Sequence, residues 1–357
     1  MADAAEAGAA ADAVETRDRF GLTWRPALAA GILAARDRVD LIEVIADDWF
    51  GRSEGRALRT LAAQIPVSIH GVGLGPASAT PSDRKRIDAL ARLVGSVEPD
   101  AWSEHLAFTR AAGCEIGHLA SPPRTCETVE GAARNLRRLA SAVASRPTVE
   151  NIATLAEPPG SAMSEAAWIA AILEEADADL LLDLHNLHAN ASNFRYDPFA
   201  FLDAIPAKRI RAIHLAGGRF VGPPGGKRIL DDHRHAVPDP VFGLLEEVGA
   251  RVPHALDVVL ERDDARPPLE HLLGELDLAR SALARGRARR ASRPEPARAP
   301  LPPPSGRASE AEALLAQIYT DPAALARFLE NPPGPIDRLG LRLAAESFSR
   351  KRERKFH

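Results

Sequence analysis

Six polar side chains stand where short apolar segments end, at positions where a buried β-strand would stop. A single histidine in such a place is usually a hydrogen-bonded core residue, whereas a buried carboxylate requires a partner charge or a metal ion. Imidazoles and carboxylates at the ends of successive strands therefore indicate either a shared cation site or an ordinary network of ion pairs. The six residues, one for each of six consecutive predicted strands, are His70, His105, Glu150, Asp183, His214 and Glu261.

Three more candidate ligands accompany this set. Asp231 and His233 form a D-x-H pair, and Asn186 follows Asp183 by three residues. Nine candidates exceed the needs of one ion, so the pattern predicts two or three metal ions. The set contains no thiolate and many carboxylates, which favours iron, manganese, zinc or magnesium over softer metals. Asp263, two residues after Glu261, is a candidate proton acceptor.

The composition excludes several other kinds of protein. The 357 residues carry 45 Lys and Arg against 49 Asp and Glu, a net charge of -4, which gives no reason to expect nucleic-acid or membrane binding. The two cysteines, Cys114 and Cys126, are too few for a disulfide scaffold or a cysteine-based zinc site. The amino-terminal segment lacks the basic and apolar parts of a signal peptide, so we expect a cytoplasmic protein.

The elements that would position the candidate ligands alternate between strand and helix. Such alternation is typical of a parallel α/β fold, and about eight strand–helix units predict a TIM (β/α)8 barrel. Because the carboxyl ends of barrel strands converge on one mouth, the candidate ligands would lie close together. The predicted strands cover residues 21–24, 40–45, 67–70, 101–108, 147–151, 179–185, 209–217 and 255–263.

The remainder of the chain is predicted to be peripheral. Residues 1–18 are Ala-rich and acidic, which is typical of a disordered arm, and residues 19–285 would form the barrel. The Pro-, Arg- and Ala-rich residues 286–307 predict an extended linker. Residues 308–357 predict a small helical appendage, with one helix over 309–329 and another over 336–347. We also expect a longer loop after the fourth strand, which holds Cys114, His118 and the segment PPRT, and a mobile Gly- and Pro-rich loop after the seventh strand.

Several short motifs together resemble the DUF692 family, whose members are multinuclear non-heme iron enzymes that oxidise peptides. The resemblance runs from about Gly21 to Leu283, in the same order as the family's motifs. It implies a TIM barrel with two or three irons, dioxygen as oxidant, and a ribosomally made peptide as substrate, often modified at cysteine. It also implies a small partner protein that presents the peptide. The motifs are HGVGL, SEHLAF, VEN, LLLDLHN, the run from Asn190 to Pro206, IHLAG, the Asp231–His233 pair and LERD.

Carried over residue by residue, the resemblance gives all nine candidate ligands the residue type that the family's motifs require. The chain departs from the family elsewhere. His185 stands where the family usually has Asn, Gly218 stands where it has a second His, and Asp47–Asp48 replaces the usual Glu-Asn pair. We expect Glu43 and the Asp47–Asp48 pair at the rim of the mouth, and Glu104 in a supporting position behind His105.

Two other classes of function fit the same pattern. Xylose-isomerase-like and endonuclease-IV-like barrels also gather His, Glu and Asp around two or three metals, as metal-dependent isomerases or phosphodiesterases. The balanced charge and the aromatic content of 5% argue against a DNA-binding mouth. A non-catalytic scaffold, in which the appendage recruits a partner, is the third alternative.

Overall fold

The structure is a computed structural model that describes residues 17–50, 54–224, 226–263, 267–289, 296–297, 299–332 and 336–355. The strands found within these residues are β1 Arg19–Thr23, β2 Leu41–Ile45, β3 Val67–Gly71, β4 Ala101–His105, β5 Phe108–Ala111, β6 Cys114–Ala120, β7 Thr148–Glu150, β8 Asp179–Asp183, β9 Ile210–Leu215, β10 Gly218–Val221, β11 Arg228–Asp231 and β12 Asp257–Leu260. The α-helices are α1 Ala29–Ala34, α2 Glu54–Ala62, α3 Arg84–Val97, α4 Cys126–Val143, α5 Glu165–Ala176, α6 Leu184–Phe194, α7 Pro198–Ala204, α8 Asp239–Arg251, α9 Leu269–Ala288, α10 Ala308–Thr320, α11 Pro322–Glu330 and α12 Arg338–Lys355.

Eight parallel strands close into a barrel in the order β1-β12-β9-β8-β7-β4-β3-β2. Nearly every residue in these strands is buried, because parallel strands are covered by helices on the outside and filled by side chains on the inside. The predicted TIM barrel is therefore confirmed. Each predicted barrel strand matches an observed one, with ends that differ by a few residues.

The helices pack around this barrel through buried aliphatic side chains. α3 shows how the sequence directs this packing: Ile87, Leu90 and Leu93 recur on one face and are buried. Asp83 caps the start of α3 by accepting a hydrogen bond from the backbone N–H of Lys85. The amphipathic helices thus fix the strands whose carboxyl ends carry the candidate ligands.

Two antiparallel hairpins rise beside the mouth, where the sequence predicted loops. β5 and β6 are joined by Ala112 and Gly113, which both have positive φ, as a tight hairpin turn requires. Alanine seldom adopts this conformation, so the turn has a weak sequence signal. β10 and β11 pair over Gly218–Val221, so the predicted mobile loop is wrong over the two strands. Gly225, between them, lies outside the described residues.

One strand prediction and one helix prediction need correction. The sixth predicted strand extended to His185, but β8 ends at Asp183 and α6 begins at Leu184. Asp183 caps α6 by accepting the backbone N–H of Asn186 at 2.6 Å. The single helix predicted over residues 309–329 is two helices, because Pro322 cannot continue α10 and instead starts α11.

The predicted appendage packs against the mouth hairpins. Its helices α10, α11 and α12 share an apolar cluster with β5 and β6 that includes Phe108, Ile116, Leu315 and Leu341. In the predicted linker, the amide of Gly306 donates a hydrogen bond to Glu127 at 2.6 Å. Residues 1–16 of the predicted disordered arm lie outside the described residues. Across the described ranges, no helix is both long and apolar enough to cross a membrane.

Candidate metal centre

Three of the candidate ligands meet at the mouth end of β3, β4 and β7. The Nε2 atoms of His70 and His105 are 3.3 Å apart, and each lies 3.1 Å from Oε2 of Glu150. Ligand atoms held at about 2.1 Å from one metal ion would be roughly 3.0–3.4 Å from each other. The three atoms therefore already have the spacing of a coordination shell.

The protein holds both imidazoles so that Nε2 faces this point. Nδ1 of His105 donates a hydrogen bond to the carbonyl oxygen of Gly71 at 2.9 Å, and Nδ1 of His70 lies 2.7 Å from Oγ of Ser103. Histidines that bind metals are usually oriented in this way, with the second ring nitrogen bonded to a carbonyl, hydroxyl or carboxylate. The two rings are thus fixed in a ligand-like orientation.

Glu150 extends the cluster into the centre of the barrel. Its other oxygen, Oε1, lies 3.4 Å from Nδ1 of His214, and that nitrogen lies 3.2 Å from Oε2 of Glu261. Glu150, Asp183, His214 and Glu261 each place one ligand atom within 4.8 Å of the others, and all four are buried. Because Glu150 belongs to both groups, it could bridge two cations.

The remaining predicted ligands lie next to the second group, towards the cleft. Nε2 of His233 is 2.8 Å from Oδ2 of Asp231, and its Nδ1 is 3.4 Å from Oε2 of Glu261. Asn186 is buried beside Asp183 and donates its side-chain amide to the carbonyl of Asn151. Asp263 is half-exposed, pairs with Arg25, and lies 3.9 Å from His233. The structure therefore brings together all nine predicted ligands and Asp263.

Buried polar atoms without a hydrogen bond concentrate at this site. Removing such atoms from water without a partner costs roughly 1–3 kcal/mol each, so folded proteins rarely keep them. A cation coordinated by them would supply the missing partner, and the donor set therefore fits one or more hard or borderline metal ions. Two of these atoms are Oδ2 of Asp183 and Oδ1 of Asn186. Four more make no well-directed hydrogen bond although they lie 2.8–3.4 Å from charged neighbours, and these are Oε2 of Glu150, both ring nitrogens of His214 and Nε2 of His233.

Burial and neighbouring charges shift the pKa values of the side chains in the cluster. Burial would raise the pKa of Glu150, but the imidazoles of His105, His214 and His70 hold it well below its ordinary value. Burial and the neighbouring carboxylates raise the pKa of Asp183 well above its ordinary value. Burial opposes protonation of His105, yet Glu150 and Glu104 raise its pKa to about 9. Metal ions that bind here therefore compete with protons.

Glu43 is not at the rim of the mouth, where its sequence position predicted it. Glu43 lies inside the barrel, 2% exposed, where its Oε1 is 2.9 Å from Nε2 of His214. Its other oxygen accepts a hydrogen bond from Ser68. The signal was present, because a single Glu within the apolar strand LIEVI must find a buried partner. Glu104 has the predicted supporting position, where it accepts the backbone N–H groups of His105 and Leu74.

Two of the departures from the family pattern are in contact with each other. His185 is buried, and its Nδ1 donates a hydrogen bond to Oδ1 of Asp231 at 2.9 Å. A Cβ atom on Gly218 would lie 2.7 Å from Cε1 of His185 and would also meet the carbonyl oxygen of Leu230. Glycine at 218 therefore leaves the space that the His185 ring occupies.

A cavity of about 480 Å³ opens above the cluster. Its floor includes His70, His105, Asn186 and Glu261, and Asp263 lies on its wall. The other side is formed by β6, by the segment after β7 and by α10 and α12. Six of the nine candidate ligands therefore line a cleft large enough for several side chains, and Glu150, Asp183 and His214 are buried beneath them.

A family model described as RiPP precursor modification enzyme MbnB/TglH/ChrH matches residues 19–284. A UPF0276 protein of Caulobacter vibrioides is 36% identical over 278 residues, which cover 76% of this chain and 96% of the relative. The UPF0276 protein PA3283 of Pseudomonas aeruginosa is 34% identical over 245 residues, or 68% of this chain and 84% of the relative. These matches confirm the family resemblance predicted from the motifs.

The chain is also similar to solved structures of low sequence identity. A D-allulose 3-epimerase from Methylomonas sp. is 17% identical with a TM-score of 0.47, covering 77% of this chain and 99% of that one. Endonuclease IV from Thermus thermophilus is 18% identical with a TM-score of 0.46, covering 74% of this chain and 99% of that one.

Proposed function

The chain belongs to the family of RiPP precursor modification enzymes MbnB/TglH/ChrH, and on this premise we propose that it oxidises a ribosomally made peptide at a cysteine. The proposed cofactor is a group of two or three iron ions, and the proposed oxidant is dioxygen. The observation that carries the proposal is the shared carboxylate of Glu150, whose two oxygens face two separate groups of buried ligand atoms.

The protein's own residues would divide the work between holding ions and handling the substrate. His70, His105 and Glu150 would hold one ion, and Glu150, Asp183, His214 and Glu261 would hold a second. Asn186, Asp231 and His233 would complete the site on the cleft side. Bound iron would supply the redox chemistry that amino-acid side chains lack.

Asp263 would accept the proton that the substrate thiol loses. It is half-exposed at the cleft wall beside His233, and burial raises its pKa although Arg25 and His233 oppose that change. A carboxyl group whose pKa is raised is a better proton acceptor at neutral pH. The ion pair with Arg25 fixes the orientation of the carboxylate.

The electron balance defines what the assay must detect. A two-electron oxidation of the peptide removes two electrons and two protons and reduces one dioxygen to hydrogen peroxide. A four-electron oxidation removes four of each and yields two molecules of water. Oxygen uptake should therefore be stoichiometric with a loss of two or four hydrogen masses from the peptide, before any rearrangement or hydrolysis.

The test uses full-length protein reconstituted anaerobically with Fe(II) and a synthetic peptide encoded by a short open reading frame beside the gene. We expect oxygen uptake and a mass change confined to cysteine, both abolished by His214→Ala. A small partner protein from the same locus is added in a parallel reaction, because the family resemblance implies that one presents the peptide. Oxygen uptake that stays at the buffer rate in every reaction would reject the oxidase. Cleavage of abasic-site DNA, or isomerisation of a ketose, would instead support the metal-dependent alternatives.

A further inference from the structure

One wall of the cleft is built from residues that lie beyond the part of the chain matched by the family model. That match ends at residue 284, whereas Tyr319 on α10 and Ala344, Ser347 and Phe348 on α12 all line the cavity. The wall faces the floor that carries the candidate ligands. It is therefore a feature of this chain in addition to the family's barrel.

The wall is firmly attached to the barrel. Glu312 on α10 is fully buried and accepts hydrogen bonds from the amide of Ala79 and the hydroxyl of Ser78, both at 2.7 Å. Asp337, just before α12, pairs with Arg228 of β11 at 2.7 Å. Contacts to a loop after β3 and to the β10–β11 hairpin fix the wall from two sides.

The inner surface of the wall is apolar and aromatic. The ring of Phe348 packs edge-to-face against His118 and Tyr319, with centroid distances of 5.1 and 4.6 Å. Ala344 and Leu155 continue this surface. An apolar side chain of about the size of leucine would lose water contact here without burying an unpaired polar group.

Arginines outnumber carboxylates by one at the opening of the cleft. Arg219, Arg234 and Arg350 line it and are exposed. Arg219 pairs with Asp232 at 3.1 Å, Arg350 lies 3.9 Å from Glu346, and the half-exposed Asp263 pairs with Arg25. Arg234 is the guanidinium in excess of these three pairs. Guanidinium groups at an exposed rim attract carboxylates of a partner and increase the rate of encounter.

We propose that α10 and α12 form the specificity wall of the cleft, and that the wall selects an acidic peptide segment. An apolar residue next to the reacting one would contact Tyr319 and Phe348, and flanking carboxylates would pair with the rim arginines. That the ligand is a peptide rests on the proposed function. The acidic and apolar character of this peptide is inferred from the side chains that line the cleft.

The test measures binding by full-length protein without iron and without oxygen, using fluorescence anisotropy. The probe is fluorescein-labelled Glu-Glu-Leu-Cys-Leu-Glu-Glu, and its comparison has Lys in place of every Glu. We expect the acidic probe to bind about tenfold more tightly at low salt. Phe348→Ala should weaken its binding roughly five- to twentyfold, and Arg234→Glu should reverse the preference between the two probes.

Leu314→Ala is the matched control, because Leu314 is exposed on α10 and does not line the cleft. Arg234→Glu should not disturb folding, because Arg234 is exposed, so this variant tests the proposal even if Phe348→Ala misfolds. Equal binding of the two probes, or variants that bind like Leu314→Ala, would overturn the proposal. Tighter binding of a labelled abasic-site DNA duplex than of the acidic probe would also overturn it. No oxidation occurs in this binding experiment. A protein that binds the acidic probe selectively but takes up no oxygen would therefore contradict the proposed function and not the specificity wall.

Discussion

Replacing His185 by alanine should weaken metal binding on the cleft side of the centre while leaving the barrel folded. His185 is 1% exposed and donates a hydrogen bond to Oδ1 of Asp231 at 2.9 Å. Asp231 lies between the imidazoles of His185 and His233. Burial alone would raise the pKa of its carboxyl group, but these two imidazoles lower the pKa. His185 therefore positions a proposed ligand.

The size of the effect follows from that one bond. A buried hydrogen bond to a charged group contributes roughly 1.5–3 kcal/mol. Each 1.4 kcal/mol changes an equilibrium constant about tenfold, so metal affinity should fall roughly 10- to 150-fold. Losses of about 10- to 100-fold are typical when the hydrogen-bond partner of a metal ligand is removed. The ions near Glu150 should be little affected, because their ligands do not contact His185.

Equilibrium dialysis against graded Fe(II) under anaerobic conditions measures the effect as ions bound per chain. We expect His185→Ala to bind one ion fewer at concentrations that saturate the unaltered protein. His188→Ala is the control, since His188 lies one helical turn away with its ring centroid 6.4 Å from that of His185. Identical binding curves for the two variants and the unaltered protein would refute the positioning role. A matching loss of thermal stability in both variants would assign the effect to folding.

Three further predictions follow from buried contacts. Glu43→Gln should lower metal affinity about tenfold in the same dialysis, because a neutral amide supports the His214 imidazole less well than a carboxylate. Glu312→Ala should lower the free energy of unfolding by about 2–4 kcal/mol in urea titrations, because it removes the acceptor of one buried and one partly buried donor, whereas Glu312→Gln should keep most of the stability. Burial raises the pKa of Glu312 above its ordinary value of 4.5, so the folded chain binds this proton more readily than the unfolded chain. Its contribution to stability should therefore fall as pH rises from 4.5 through the raised folded value, and Glu312→Gln should lack that dependence. Removing metal with a chelator should lower the melting temperature, by an amount equivalent to roughly 4 kcal/mol if the ions were present at about 1,000 times their Kd.

The barrel and the convergence of the candidate ligands could be predicted because they follow from local patterns. An apolar run that stops at a His, Asp or Glu marks both a buried strand and its mouth end, as in β8, where three leucines precede Asp183. The helix that follows β8 was missed, because its His- and Asn-rich sequence has low helix propensity. Its start depends on the cap supplied by Asp183, which the strand-end pattern identifies only as a candidate ligand.

Contacts between distant segments could not be predicted from one sequence. The bond between Glu43 and His214 joins residues far apart in the chain through barrel closure. The contact between His185 and Gly218 likewise exists only because α6 lies beside β10. The place of α12 beside the cleft depends on an apolar cluster shared with two hairpins that the sequence pattern did not reveal. Such pairings are set by tertiary packing, which local periodicity does not encode.

The most direct test of the metal centre is metal analysis combined with Mössbauer spectroscopy on full-length protein produced with ⁵⁷Fe and purified without oxygen. We expect two or three irons per chain, and loss of at least the two irons held by Glu150 in Glu150→Ala, because both groups of ligands share that residue. A single iron, zinc alone, or full iron content in Glu150→Ala would contradict this expectation.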